Sequence, residues 1–483
     1  MRRMIPISAL FLMLLVSAIS VSTEADDSDD LQFPVDEYID KNVIVTDSNG
    51  GKNVHYHLYR HITYVANFVD TDNQSMNVKV PIRINGEYVD TTNAPILFVN
   101  SAYGYRAANV SAGGFPPVTG KNTKLALAAG YVVVESGCRG SDNQENGTYY
   151  GKAPAAIVDL KAAVRYLRHN DEIMPGNAEW IISAGASGGG ALSALLGASG
   201  NSHLYDTYLE EAGAADEDDS VYASADFCPI TDLEHADMAY EWEFMTTPLL
   251  NGTLVDQVHS QQLKNDFAEY QASLNIHDEN GGNITADNYG EYLAEIYLIP
   301  SANKYLSHLT DEEREAYLAN KTWIAWFNNS SAFTFEDYVT HCHRIKSLPA
   351  FDAFDLSAVE NILFGNETIN ARHFTRFSLM QTSGRRSAQI NDDLKTVVNL
   401  MNPMYFVTQD CCSGCAEYWW IRHGTNDTNT ALPVIINLAA VLENRGKDVN
   451  VSLYWDAEHR ANEDPEDFIA WIGEITGYTV QFN

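Results

Sequence analysis

Basic residues are scarce in this chain. Only 30 of its 483 residues are Lys or Arg, against 65 Asp or Glu, which gives a formal net charge of −35. Proteins that bind nucleic acid or anionic membrane surfaces gain their affinity from clustered Lys and Arg. The composition therefore excludes a protein that follows a phosphate backbone, and it disfavours binding at an anionic membrane surface.

Cysteine is also rare, with six residues in the whole chain. Cys412 and Cys415 have CxxC spacing, but a tetrahedral zinc site needs a second such pair and the sequence contains none. We therefore expect a disulfide within residues 411–415 and no bound metal. Cys138 and Cys228 each follow a strand-like run and are expected to be buried thiols.

Only the N-terminus has a long apolar run. Residues 5–19 (IPISALFLMLLVSAI) follow Arg2 and Arg3, and the small residues Ser22 and Ala25 come shortly after them. This order predicts a secretory signal peptide over residues 1–25. The alternative, a membrane anchor, needs about 20 apolar residues. We expect an exported protein, secreted or on the cell-envelope exterior, without stable membrane insertion after cleavage.

The remaining chain alternates between strand and helix patterns. Short, unbroken apolar runs at residues 96–99 and 131–134 are typical of strands buried on both faces of a parallel sheet. Helical spacing separates such runs, so the fold class is α/β, with a mostly parallel sheet between helices.

The pattern changes in the middle of the chain. Residues 235–399 have helical patterns, such as 262–274 and 311–326, but no buried-strand runs. We expect residues 31–234 and 400–483 to form one α/β core, interrupted by a mainly helical insertion over 235–399.

Ser187 lies in a G-x-S-x-G pattern, Gly185-Ala186-Ser187-Gly188-Gly189. A buried strand pattern precedes it and a helix of small residues follows, which is the context of the nucleophile in α/β hydrolases. The alternative, a phosphate-binding loop, would need a Lys after the glycines or G-x-G-x-x-G spacing. The pattern predicts that Ser187 is a nucleophile.

A serine nucleophile needs a base and an acid that orients the base. In α/β hydrolases the chain order is Ser, then Asp or Glu, then His. His459 follows a late strand run, and Asp427 follows the preceding core run, so these two are the predicted partners of Ser187. His423 precedes every plausible acid, and Asp456 is the rival acid.

Ester hydrolysis also needs two donors for the developing oxyanion. One is normally the backbone N–H after the nucleophile, here that of Gly188. The loop after an early strand supplies the other, and Gly104 or its neighbours are the candidates.

Four stretches resemble the bacterial tannases of the lactobacillus type: 185–201 (GASGGGALSALLGASGN), 228–242 (CPITDLEHADMAYEW), 401–403 and 422–427. These proteins are α/β hydrolases with a large lid insertion. The resemblance covers nearly all of the chain after the signal peptide. It implies hydrolysis of galloyl esters by Ser187, Asp427 and His459 without a cofactor.

The resemblance also implies how a substrate is held. The family is understood to grip the galloyl ring with a lid lysine, a lid glutamate and an aspartate two residues after the catalytic acid. Lys346, in KSLPAFD, and Glu360, in ENILFG, match the first two, but the third position is Asn429. Asn429 cannot offer a charge-assisted acceptor, so strict galloyl specificity is weakened.

The expected function is therefore a secreted serine esterase that acts on small-molecule phenolic esters. A feruloyl or general carboxylesterase is the nearest alternative, and a dipeptidyl-peptidase-like activity is a weaker one. A non-catalytic secreted binding protein is the alternative from another class. Such a protein usually lacks a triad member, whereas all three residue types are present here.

Overall fold

The computed structural model describes residues 31–110, 120–409 and 414–482. The predicted signal peptide, as well as Cys411 and Cys412 of the predicted disulfide, lie outside these residues. Within the described ranges, no helix is long and apolar enough to cross a membrane.

Strands form one large sheet and two short hairpins. In chain order they are β1 (Ile39–Asp47), β2 (Gly50–Thr63), β3 (Ser75–Ile84), β4 (Glu87–Asp90), β5 (Ile96–Asn100), β6 (Val132–Ser136), β7 (Gln144–Glu145), β8 (Thr148–Tyr149), β9 (Ile181–Ala186), β10 (Ala223–Phe227), β11 (Ala325–Phe327), β12 (Ser330–Ala332), β13 (Tyr418–Gly424), β14 (Asp448–Tyr454) and β15 (Gln481–Phe482).

The main sheet has the strand order β1-β2-β3-β6-β5-β9-β10-β13-β14, and β4 links β3 to β15. The strands from β6 to β14 in this order are all parallel, whereas β1, β2 and β3 pair antiparallel at one side. All residues of β5, β6, β9 and β10 are buried. The predicted mostly parallel sheet is confirmed.

Helices cover both faces of this sheet and also occur throughout residues 235–399. They are α1 (Gly120–Ala128), α2 (Ala155–His169), α3 (Gly188–Ala198), α4 (Asp206–Ala212), α5 (Leu233–Phe244), α6 (Gln257–Ser273), α7 (Tyr289–Tyr292), α8 (Ile299–His308), α9 (Asp311–Asn320), α10 (Phe335–His341), α11 (Val359–Leu363), α12 (Arg376–Ser383), α13 (Asp392–Leu400), α14 (Pro403–Val407), α15 (Leu432–Asn444) and α16 (Pro465–Thr476). A π-helical turn, Leu293–Leu298, joins α7 to α8. The core on one face includes α2, α3 and α15, and the core on the other includes α1 and α16.

Residues 235–399, called here the inserted segment, contain helices and the short hairpin β11–β12. The helix predicted over residues 311–326 is too long, because α9 ends at Asn320 and Trp326 lies in β11. Asn328 and Asn329, both with positive φ, form the turn between β11 and β12. Two aromatic residues directly before an Asn-Asn turn favour a hairpin over a longer helix.

The carboxyl ends of the parallel strands meet at one edge of the sheet. β9, β10, β13 and β14 end at Ala186, Phe227, Gly424 and Tyr454. Their following loops bring residues that are far apart in sequence into one place, as expected for open α/β sheets.

Candidate active site

Ser187 occupies a sharp turn between β9 and α3. Its backbone has φ 59° and ψ −125°, a conformation that costs energy for any residue with a side chain. A Cβ atom at Gly185 would lie 2.2 Å from the carbonyl oxygen of Gly189, and one at Gly189 would lie 2.6 Å from Asn100 Oδ1. The neighbouring glycines are therefore required for the close approach of backbone that supports the turn.

His459 joins Ser187 to Asp427. Its Nε2 atom lies 2.9 Å from Ser187 Oγ, and its Nδ1 atom lies 2.7 Å from Asp427 Oδ2. Because a carboxylate can only accept from Nδ1, the neutral ring carries its proton there and presents a lone pair at Nε2 to the serine hydroxyl. The structure thus brings together the three residues predicted to perform the chemistry.

Asp427 is a fully buried carboxylate, with none of its side-chain surface exposed. Burial favours its protonated form, but the proximity of His423, the hydrogen bond from His459 and the amide of Asn429 outweigh it. Together they lower the pKa of Asp427 to about 2. The carboxylate of Asp427 is therefore ionised at neutral pH.

The two rival residues have other surroundings. His423 is buried with its Nδ1 atom 3.5 Å from Asp427 Oδ2, and burial lowers the pKa of its ring. The carboxylate of Asp456 accepts a hydrogen bond from Tyr317 (3.1 Å) and lies 3.4 Å from Lys321 Nζ. Asp456 therefore interacts with α9 and with the residue that follows it, whereas Asp427 binds His459.

The turn Tyr103–Tyr105 packs against the first residue of α3. A Cβ atom on Gly188 would lie 2.7 Å from the amide nitrogen of Tyr105 and 3.0 Å from that of Gly104. The Tyr105 amide donates to Ala102 O, whereas the Gly104 amide makes no hydrogen bond within the described part of the chain. Gly188 is the first residue of α3, so its amide has no acceptor within the helix. The two amides predicted to face an oxyanion are adjacent.

Lys346 and Glu360 belong to the same region. The Lys346 ammonium lies 3.6 Å from the centre of the Phe351 ring and interacts with the charges of Glu360, Asp237 and Asp427. Burial lowers the pKa of Lys346 more than these acids raise it. Burial likewise raises the pKa of Glu360, although Lys346 opposes this. Lys346 and Glu360 are therefore close enough to influence each other's pKa, in a place where burial disfavours the charge of both.

Glu360 is positioned by α11, which packs against the turn Tyr103–Tyr105. Lys346 is positioned through Tyr240, whose hydroxyl accepts from the Lys346 amide (3.3 Å) and donates to Thr428 O (3.0 Å). The Thr428 hydroxyl in turn donates to His343 O (2.7 Å). These bonds fix the inserted segment to the loop that bears Asp427.

Asn429 contacts the acid directly. Its backbone amide and its side-chain Nδ2 atom both donate to Asp427 Oδ1, at 3.0 and 3.1 Å. The resemblance implied that this position contacts substrate. In the structure its side-chain amide is bound to Asp427, an arrangement that depends on a rotamer and leaves no trace in sequence.

One residue at the site was predicted only as a buried thiol. Cys228 is buried as expected, and so is Cys138. One sulfur, oxygen or nitrogen ligand atom from each of Cys228, Asp427 and His459 lies within 4.8 Å of the others. Cys228 directly follows β10. Its position after a strand run was the signal in the sequence that could have placed it at the carboxyl edge of the sheet, near the site.

The sheet is mostly parallel and is covered by helices. A strained serine lies between a strand and a helix, and a histidine and an aspartate follow later strands. Together these features define an α/β hydrolase. Comparisons with known proteins agree. Residues 116–269 match the model of the family described as BD-FAE.

The chain belongs to the bacterial tannase family. It is 36% identical to Fusobacterium nucleatum tannase over 92% of this chain and 99% of that one, with a TM-score of 0.82. It is 32% identical to the tannin acyl hydrolase from Lactobacillus plantarum over 93% and 99% of the two chains, again with a TM-score of 0.82.

A tannin acyl hydrolase in complex with ethyl gallate is 33% identical over 93% of this chain and 99% of that one, with a TM-score of 0.82. A search of curated proteins gave no match. Members of this family are carboxylic ester hydrolases, and so is this protein.

Proposed function

We propose that this protein is an exported serine esterase that cleaves esters of phenolic acids, galloyl esters first among them. The observation that carries the proposal is the hydrogen-bonded chain from Ser187 through His459 to Asp427, with Lys346 and Glu360 beside it. The related structure with ethyl gallate supports the substrate class.

In the first half of the reaction, His459 Nε2 takes the Ser187 hydroxyl proton while Oγ attacks the ester carbonyl carbon. The carbonyl oxygen becomes an oxyanion that the amides of Gly188 and Gly104 stabilise. His459 then gives its proton to the leaving alcohol, and an acyl-serine remains.

In the second half, a water molecule loses a proton to His459 and attacks the acyl carbon, and the same proton returns to Ser187 as the acid leaves. The ionised Asp427 keeps the His459 ring in its orientation and stabilises the imidazolium in both halves. The protein supplies every group that these steps need, and we propose no cofactor.

Recognition of a phenolic ring is assigned to Lys346 and Glu360. An ammonium donates to a phenol oxygen and a carboxylate accepts from a phenol hydroxyl, and both bonds are strong because a charge takes part and water is scarce. A galloyl ring with several adjacent hydroxyls can use both groups at once, whereas an aliphatic acyl group can use neither.

The serine mechanism is tested with Ser187→Ala. The rate of gallate release from methyl gallate should fall by about 10⁴-fold or more, because removing the nucleophile disables the whole triad. Ser199→Ala, at the other end of α3, is the matched control and should keep most activity. A Ser187→Ala protein as active as the control would overturn the proposed mechanism.

The substrate class is tested with Lys346→Met, which keeps the length of the side chain and removes its charge. We expect kcat/KM for methyl gallate to fall by about 10- to 100-fold, the loss of one charge-assisted hydrogen bond. Hydrolysis of p-nitrophenyl acetate should change little. Wild-type preference for methyl ferulate over methyl gallate would favour the feruloyl esterase alternative.

Export is proposed from residues 1–25 alone. N-terminal sequencing of protein recovered from the medium or cell envelope should begin shortly after Ser22 or Ala25. Recovery of the protein only from the cytosol with Met1 retained would contradict it.

A further inference from the structure

The thiol of Cys228 lies beside the proposed triad and has no task in the mechanism above. Cys228 follows β10 with a positive φ of 42°, and its amide donates to Arg422 O on β13 at 2.6 Å. The residue is only 2% exposed. Its place is fixed by two strands of the central sheet, and Asp427 and His459 follow β13 and β14 of the same sheet.

The donor atoms of these three residues converge. The Cys228 sulfur, one Asp427 oxygen and one His459 nitrogen are within 4.8 Å of one another. Around a zinc ion, with bonds of about 2.0 to 2.3 Å, neighbouring ligand atoms lie about 3 to 4 Å apart. Shifts of about 1 Å would therefore give three ligands of a tetrahedral site.

The kinds of atom select the cation. A thiolate, an imidazole and a carboxylate are the set that binds zinc and cadmium, whereas magnesium and calcium require oxygen ligands. Among the described residues, no other group of three His, Cys, Asp or Glu side chains brings its ligand atoms this close. His459, with 19% of its side chain exposed, gives a cation access from solvent.

We propose that Cys228, Asp427 and His459 form an inhibitory site for a thiophilic divalent cation such as zinc or cadmium. On binding, the Cys228 thiol releases its proton to solvent, and the imidazole gives one lone pair to the cation. The fourth position is filled by water.

Inhibition follows whichever ring nitrogen binds. If Nε2 binds, the lone pair that would accept the serine proton is occupied. If Nδ1 binds, its proton moves to Nε2, which then faces Ser187 as a donor. In both cases His459 is no longer a base, so the inhibitory effect rests on the proposed serine mechanism.

The experiment compares wild type with Cys228→Ser, and uses Cys138→Ser as the matched control. Cys138 is likewise a buried thiol with a nearby carboxylate, Asp159, but the described group of metal ligands does not include it. Activity is measured with p-nitrophenyl acetate, because galloyl groups chelate metals. Zinc and cadmium are titrated, and EDTA is then added.

We expect about one equivalent of cadmium or zinc to inhibit wild type and Cys138→Ser reversibly. Cys228→Ser should need at least about 100-fold more metal, since loss of a ligand costs more than the 10- to 100-fold loss typical of an outer-shell partner. Each variant is compared with its own metal-free rate, so a change in basal activity does not affect the result.

Direct binding gives a second readout. Cadmium bound to a thiolate has a charge-transfer absorption, which should titrate to one ion per chain in wild type and be absent in Cys228→Ser. Cys228→Ala provides the same comparison if the serine variant does not fold. Equal metal inhibition of wild type and the Cys228 variants, or an absorption that survives in them, would overturn the proposal.

The two proposals fail in different ways. Full activity of the cadmium-loaded enzyme would overturn inhibition at this site. Activity retained by Ser187→Ala would instead overturn the serine mechanism, while the cadmium absorption would still report whether Cys228 binds the ion.

Discussion

At the scale of single residues, the acid of the proposed triad is held by more than the histidine that donates to it. Asp427 Oδ2 accepts from His459, and Oδ1 accepts two bonds from Asn429. A buried carboxylate whose oxygens are both satisfied keeps its charge and its orientation. Asn429 therefore contributes to positioning Asp427, which a role in substrate contact alone would not explain.

Asn429→Asp tests this. The change removes the side-chain donor and places a second carboxylate about 3 Å from the first, so one of the pair tends to take up a proton. We expect kcat for methyl gallate to fall by about 10-fold with little change in KM, and the acid limb of the kcat–pH profile to move to higher pH.

The control is Asn426→Asp, which adds the same charge at an exposed position in the same loop. It should leave both kcat and the pH profile close to wild type. A better ratio of gallate to ferulate hydrolysis in Asn429→Asp, with kcat unchanged, would show instead that position 429 contacts the substrate.

The sequence predicts some residues of the site but not their side-chain contacts. The roles of Ser187, Asp427 and His459 could be predicted because each residue follows an apolar strand run, and the ends of such runs can be identified in a sequence. Asn429 and Cys228 were not assignable to the triad because their contacts depend on rotamers and on distances between loops. Sequence reports which loop a residue occupies, but not which atom it meets there.

At the scale of elements, the part of the inserted segment between α10 and α12 has little regular structure and is fixed by a buried carboxylate. Asp352 accepts hydrogen bonds from Asn361, next to Glu360, from His373, and from Phe374 and Thr375. One fully buried aspartate thus replaces the backbone bonds that a helix would have supplied.

Asp352→Asn should loosen this part of the chain. Asparagine has the same shape but one acceptor oxygen, so several buried donors lose their partner, at a cost of about 3 kcal/mol or more in the free energy of unfolding. We expect a lower Tm and about a 10-fold higher KM for methyl gallate.

Asp355→Asn is the control, because Asp355 is exposed and accepts a hydrogen bond from the nearby Ser357 amide. Calorimetry and gallate kinetics on both variants give the comparison. An Asp352→Asn protein as stable as the control would mean that packing, not this carboxylate, fixes the segment.

The elements that the sequence predicted are those with a continuous pattern of their own. Buried parallel strands such as β5 and β6 have a continuous apolar pattern that turns interrupt, and they were found where expected. The hairpin β11–β12 was missed because its strands have three residues each and their pairing depends on the Asn328-Asn329 turn. Short elements stabilised by contacts beyond their own sequence carry little pattern.

At the scale of the whole molecule, several of the few basic residues lie inside the protein. Lys79, Lys161 and Arg344 are completely buried and paired with Glu135, Asp219 and Glu241. The acids outside the core are therefore left with even fewer opposite charges than the composition indicates. A surface of one sign favours solubility and repels an anionic product such as gallate.

Two buried acids of α5 also make global stability depend on pH. Burial raises the pKa of Glu243 to about 8 and that of Asp237 to about 7. Between the unfolded pKa near 4.5 and these values, the folded protein binds more protons than the unfolded chain. The stability that these two groups contribute is therefore fully present in acid and is lost as pH rises towards 8.

Glu243→Gln isolates one of these groups. Glu243 accepts from the Leu432 amide at 2.7 Å through Oε2, while its Oε1 atom is buried without a hydrogen-bond partner within the described residues. Glutamine resembles the protonated acid. The variant should therefore lose a slope of about 1.4 kcal/mol per pH unit in the free energy of unfolding between pH 5 and pH 8.

The measurement is Tm by calorimetry across this pH range. The control is Glu234→Gln, which changes an exposed glutamate on the same helix. A Glu243→Gln protein that loses stability with rising pH as steeply as this control would show that Glu243 is already ionised in the folded protein. A flatter profile, with the remaining slope left to Asp237, would show that Glu243 is protonated in the folded protein and that this proton stabilises the fold.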